Sequence, residues 1–127
     1  MIVLDTHAWV WWASNDAQLS KKARRAIEAA DERGVSPVSC YEVGRLAERG
    51  RVTFDRDVAT WTRQALAQPR VVVLDLTPEI CTAAALLEDF RGDPIDRLLV
   101  ATALEHDAPL VTRDGRIATS GAVRSIW

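Results

Sequence analysis

Apolar residues in this chain fall in short runs of three or four, separated by longer stretches in which they recur every third or fourth position. The first pattern predicts buried strands and the second predicts helices packed by one face. Ile2-Val3-Leu4 reads as a core strand rather than a secretion signal, followed by a short helix from about Thr6 to Ala13. Ser20 is placed to cap a helix over Lys21–Arg33, with Gly34 as its stop. Val35–Val38 reads as a brief strand. Ser39-Cys40-Tyr41-Glu42 then has capping-box spacing and opens a helix that ends at Gly50. A further helix covers Asp57–Ala67, with Pro69 beyond it. Val71–Leu74 is the strongest strand signal. Thr77-Pro78 starts a helix to about Asp89, and Asp93-Pro94 repeats that device for a helix to His106. Leu110-Val111-Thr112 is another strand, and Ala122–Trp127 a last edge strand. Strands alternating with helices predict an α/β fold, a central mainly parallel sheet flanked by helices on both faces.

Composition narrows this picture. A chain of 127 residues, 48% apolar and 27% charged, suits one globular domain spanning residues 1–127 and excludes a disordered chain. The longest apolar runs, Ala8–Ala13 and Ala83–Leu87, fall well short of the ~20 residues of a membrane span. No membrane partner is expected. The net charge of −2 excludes a dedicated nucleic-acid wrapper, so any nucleic-acid contact must be local or metal-mediated. Cys40 and Cys81 lack CxxC spacing and read as buried, reduced thiols of a cytoplasmic protein. With His7 and His106 they are too scattered for structural zinc.

Ligands of open α/β sheets bind outside the carboxyl ends of the strands, so the residues that follow each strand define the candidate site. Those residues are carboxylates. Asp5 follows Ile2-Val3-Leu4, Glu42 comes soon after Val35–Val38, and Asp114 lies just past Leu110-Val111-Thr112. Asp93 and Asp96 share the first turn of their helix. Each has a purely structural reading: Glu42 as a capping-box acid, Asp93 as an N-cap, Asp96 as an acid favoured by the helix dipole, Asp114 as a turn residue. Converging on one face, they would instead repel unless a cation neutralised them. Oxygen-only donors suit Mg²⁺ or Mn²⁺, and such a site serves phosphoryl or phosphodiester chemistry. Asp75 also follows a strong strand, and spacing alone does not exclude it.

Leu4-Asp5-Thr6-His7-Ala8, Trp11-Trp12, Leu19-Ser20, Ser39-Cys40-Tyr41-Glu42, Gly50-Arg51, Gly92-Asp93-Pro94-Ile95-Asp96-Arg97 and Pro109-Leu110-Val111-Thr112-Arg113-Asp114 follow one another in a known order. The chain resembles PIN-domain ribonucleases, and among them VapC-type toxins of type II toxin–antitoxin pairs, from Ile2 to Trp127. The resemblance implies a single PIN domain with Mg²⁺- or Mn²⁺-dependent endoribonuclease activity that blocks translation and growth. It also implies a cognate VapB-type antitoxin whose tail covers the site, and a homodimer. Carried over by position, the acidic set is Asp5, Glu42, Asp96 and Asp114, with Asp5 and Asp96 as direct ligands. Asp75 has no counterpart. Thr6, Asp93, Arg97 and Thr112 take site-orienting or substrate-binding parts: Asp93 caps, Thr112 orients the last acid, and Arg97 either contacts RNA or pairs with a core-edge acid. Gly115 is a departure expected to loosen the loop that holds Asp114.

Other features allow two readings. Trp9, Trp11 and Trp12 are too many large rings for one core, so at least one is expected to meet a partner or dimer mate. Lys21, Lys22, Arg24 and Arg25 form a solvated face or an RNA-backbone track, and His7 packs or touches substrate. Two rival functions are a metal-dependent α/β phosphatase and a catalytically silent binding module. The phosphatase would carry a second acid where His7 stands.

Overall fold

A computed structural model describes all residues from Met1 to Trp127. The elements run β1 (Ile2–Leu4), α1 (Thr6–Ala13), α2 (Lys21–Ala29), β2 (Arg33–Val35), α3 (Pro37–Glu48), α4 (Val58–Leu66), β3 (Val71–Val73), α5 (Pro78–Ala85), α6 (Pro94–Glu105), β4 (Leu110–Val111), α7 (Gly115–Ser120) and β5 (Ser125–Ile126). The sheet has the order β3-β2-β1-β4-β5, and every neighbouring pair is parallel. Parallel strands need both faces covered, and the side-chain alternation of β1 shows how. Ile2 and Leu4 enter one core with Trp9, Ile27, Val35 and Val111. Val3 enters the opposite core with Leu99, Val100, Leu110 and Ile117. The fold is the expected α/β architecture.

The main departure lies between α2 and α3. The predicted helix Lys21–Arg33 stops at Ala29, and Arg33 and Gly34 belong to β2. Pairing with Ile2 on one side and Val71 on the other overrides the helix propensity of that segment. The buried Arg33 guanidinium donates to the carbonyls of Ile27, Glu28 and Pro69. Gly34 is needed because Leu74 approaches within 2.5 Å of where a Cβ would stand. The strand also ends at Val35 rather than Val38, since Ser36 caps α3 and Pro37 takes its first position. Ser39 is therefore one turn inside the helix, and the Ser39–Glu42 capping box does not form.

Three smaller differences bear on the site. Helix α5 ends at Ala85, not Asp89, and its last carbonyls are met by the Arg97 guanidinium, which donates to Ala84, Ala85, Leu87 and Phe90. Helix α7 was not expected, because Ile117 is its one buried residue and leaves no periodicity to read. Two of the three α1 tryptophans are buried within the domain, Trp9 at 5.1 Å from Trp61 and Trp11 at 5.9 Å from Trp127, while Trp12 is half-buried beneath Arg33. Cys81 is exposed on α5 rather than buried, and Cys40 is half-buried. No helix is long and apolar enough to cross a membrane.

Candidate functional site

From β1 the chain builds outward to β2 and β3, then returns to the other side of β1 for β4 and β5. The order reverses between β1 and β4, and a crevice opens at the carboxyl ends of the strands flanking such a switch point. Asp5 ends β1 and Asp114 lies just beyond β4, one on each side of the reversal. A cleft of about 300 Å³ opens there, lined by Asp5, Thr6, His7, Trp11, Glu42, Asp93, Asp96, Leu99, Arg113, Asp114 and Arg116. Five carboxyl groups face two guanidinium groups.

Three of the acids are also helix caps. An Asp5 oxygen accepts from the Ala8 amide at 2.8 Å, an Asp93 oxygen from the Asp96 amide at 2.9 Å, and an Asp114 oxygen from the Arg116 amide at 2.8 Å. Helices α1, α6 and α7 thus bring their positive ends to the cleft, which lowers the cost of gathering acids there. Capping takes one carboxylate oxygen in each case, so a cap and a metal ligand are compatible roles. Glu42 projects from the second turn of α3 and caps nothing, which removes its purely structural explanation.

The electrostatics reflect the crowding. Asp96 is pushed up to about 7 by burial and by the negative charges of Asp93, Asp114 and Glu42, with Arg116 offsetting part of the shift. Burial also raises Asp5, against the opposing pull of the Thr112 hydroxyl, the Ala8 amide and His7. At Asp114 burial pushes upward too, but hydrogen bonds from the Arg116 side chain and from the amides of Arg116 and Ile117 hold it below the usual range.

The cleft therefore brings together Asp5, Thr6, Glu42, Asp93, Asp96 and Asp114. Thr112 sits buried beside it, its hydroxyl accepting the Asp114 amide at 3.0 Å. The buried Thr6 hydroxyl donates to Ser39 at 3.1 Å and ties α1 to α3. Gly115 does not loosen Asp114, because it opens α7 and the carboxylate is held by that helix. Arg97 is not in the cleft: its guanidinium is spent on main-chain carbonyls, so it neither faces substrate nor pairs with an acid. Asp75 lies beyond the edge strand β3, two strands from β1, or about 10 Å at the usual spacing. His7 packs 5.4 Å from Trp11, as one of its two readings has it, and also lines the cleft. The sequence reading missed Trp11, Arg113 and Arg116 as cleft residues. Arg113 stands 5.0 Å over the Trp11 ring, and Arg116 reaches Asp96 at 3.5 Å and Asp114 at 3.2 Å. The signal was the pair of arginines flanking the last acid.

No three His, Cys, Asp or Glu side chains close into a ready metal-ligand cluster. The donor chemistry nevertheless fits a hard divalent cation: five carboxyl groups, no thiolate, and two carboxyls held toward their protonated forms by burial and crowding.

The chain belongs to the PIN domain family, which it matches over residues 2–121. Within the family it is 42% identical to Ribonuclease VapC22 of Mycobacterium tuberculosis, over 99% of this chain and 98% of that one. Among solved structures it is similar to Mycobacterium tuberculosis VapC20, described as a Sarcin-Ricin loop cleaving toxin. The TM-score is 0.70 at 19% identity, covering 98% of this chain and 99% of that one. It is also similar to a chain of Rickettsia felis VapBC2 bound to a promoter DNA fragment, with TM-score 0.71 at 14% identity, covering 98% and 97%. At those identities the structural likenesses speak for the fold.

Proposed function

We propose that this protein is an endoribonuclease, the toxin of a type II toxin–antitoxin pair, which cuts RNA with a divalent cation, Mg²⁺ or Mn²⁺, and so arrests translation and growth in the cytoplasm. The observation that carries this is the convergence of Asp5, Glu42, Asp93, Asp96 and Asp114 at the switch point of a PIN domain. The near-full-length relative named as a ribonuclease supports it. A cognate VapB-type antitoxin is the proposed neutralising partner, supported by the similarity to chains solved in toxin–antitoxin complexes.

Asp5 and Asp96 would hold the cation, with Glu42 and Asp114 completing the donor set. When bound, the cation supplies Lewis acidity at the phosphate and lowers the pKa of a coordinated water. The chain's own residues do the positioning. Asp93 fixes the amide from which Asp96 enters the cleft, and Thr112 fixes that of Asp114. Arg113, braced on Trp11 and lining the cleft, offers a guanidinium to the RNA backbone. A homodimer is the proposed assembly, as the family resemblance implies, with the half-buried Trp12 of α1 among the apolar side chains open to such a contact.

The test is a pool of RNAs incubated with the purified protein in Mg²⁺ and in chelator, with new ends read by sequencing. Discrete cuts in Mg²⁺ that vanish in chelator are expected. Absence of cuts in both Mg²⁺ and Mn²⁺ would overturn the reading.

A further inference from the structure

Two arginines line the cleft, and they are held differently. Arg113 lies over the Trp11 ring and pairs with no carboxylate. Arg116 reaches into the acids: its Nη2 lies 3.5 Å from Asp96 Oδ2 and 3.2 Å from Asp114 Oδ2. Its side chain is 71% exposed, and its hydrogen bonds go to Asp114 alone. Arg33 and Arg97, by contrast, are each fixed by three or more main-chain carbonyls. The backbone under Arg116 is anchored, because its amide donates to Asp114 at the start of α7. The guanidinium is therefore tethered at the site, yet bound only by the two carboxylates it bridges.

Asp96 and Asp114 come from different helices, and both belong to the donor set assigned above to the cation. Their shared cation in the folded chain is Arg116. We propose that Arg116 is a built-in counter-ion, which competes with the divalent cation for Asp96 and Asp114 and has to leave them for the cation to bind. Arg116 then offsets part of the repulsion at Asp96 and Asp114 while the cation is absent, and a weakly held cation does not displace it. Once displaced, the guanidinium remains at the cleft mouth on α7, within the region a phosphate must enter. This inference rests on the reading of the cleft as a divalent-cation site.

The test is isothermal titration of Mn²⁺ into the wild type, Arg116→Gln and Arg113→Gln at one pH and ionic strength. Both variants remove one positive charge from the same cleft, but only Arg116→Gln removes a competitor. Arg116→Gln should bind Mn²⁺ about fivefold more tightly than the wild type, the scale of an exposed ion pair, and Arg113→Gln within about twofold of it. Equal tightening in both variants would reduce the effect to net charge and overturn the proposal, as would no change in Arg116→Gln. In parallel, the Nε–H resonance of Arg116 should shift when Mg²⁺ is added to the wild type, while those of Arg33 and Arg97 stay. A static Arg116 signal under saturating Mg²⁺ would also overturn it. If none of the three proteins binds Mn²⁺, the cation-site reading itself fails; binding without a difference overturns only the role of Arg116.

Discussion

Asp96→Asn should stabilise the metal-free protein at pH 8 while leaving it no more stable than the wild type at pH 5. The folded protein holds the Asp96 proton up to about pH 7, whereas an unfolded aspartate releases it near ~3.9. Between those values the folded state binds more protons than the unfolded one, so stability is full at low pH and is lost as pH rises through the window. A difference of about three units corresponds to ~4 kcal/mol at about 1.36 kcal/mol per unit. The Asp96 side chain is 20% exposed in a cleft open to water, and screening cuts this to about 2 kcal/mol. Raising the pH from 5 to 8 crosses roughly two-thirds of the window, so the wild type should lose about 1.3 kcal/mol. Asp5, also raised by burial, adds in the same direction. The lost pairing with Arg116 subtracts less than ~1 kcal/mol from the variant. Urea unfolding of both proteins in chelator at pH 5, 6.5 and 8 measures this. Parallel stability–pH curves for the two proteins would refute the reasoning, because Asp96 would then carry no strain.

Four further outcomes follow from the same geometry. Mn²⁺ added at pH 8 should raise the melting temperature of the wild type by mass action but leave Asp5→Asn nearly unmoved, as thermal melts with and without chelator would reveal. Asp5→Asn should also melt higher than the wild type in chelator, since it removes a carboxylate whose charged form is disfavoured by burial and, to a lesser degree, by Glu42. Arg97→Met should cost about 2–3 kcal/mol in urea unfolding by stranding the carbonyls at the end of α5, without changing Mn²⁺ affinity measured calorimetrically. Gly34→Ala should cost about 1–3 kcal/mol in the same assay, because the new methyl meets the buried Leu74 at 2.5 Å.

The acids were legible because strand ends and helix caps are written in local sequence. Asp5 follows three apolar residues, and Asp93 precedes a proline at the first helical position. Glu42 was found at a strand end, but its competing explanation failed for a reason the sequence concealed: Ser36, not Ser39, caps α3. The overrun of α2 into Arg33 has a similar origin, since local propensity carries no record of the strands on either side of β2. Arg97 was misread through adjacency. Consecutive helical residues point about 100° apart, so the neighbour of Asp96 turns toward the end of α5 instead of the cleft. Arg116 was overlooked despite flanking the last acid, because it rides on α7, a helix with a single buried residue and no apolar period. Val71–Leu74 gave the strongest strand signal and yet β3 is a half-exposed edge, which is why Asp75 stays outside the site.

The central claim is that the carboxylates of the switch-point cleft hold a divalent cation. Anomalous diffraction from crystals soaked in Mn²⁺ tests it most directly. The account predicts a peak in the cleft about 2.1 Å from carboxylate oxygens of both Asp5 and Asp96, absent from crystals of Asp96→Asn. A wild-type cleft without a peak, or a peak bound by neither of those residues, would contradict it.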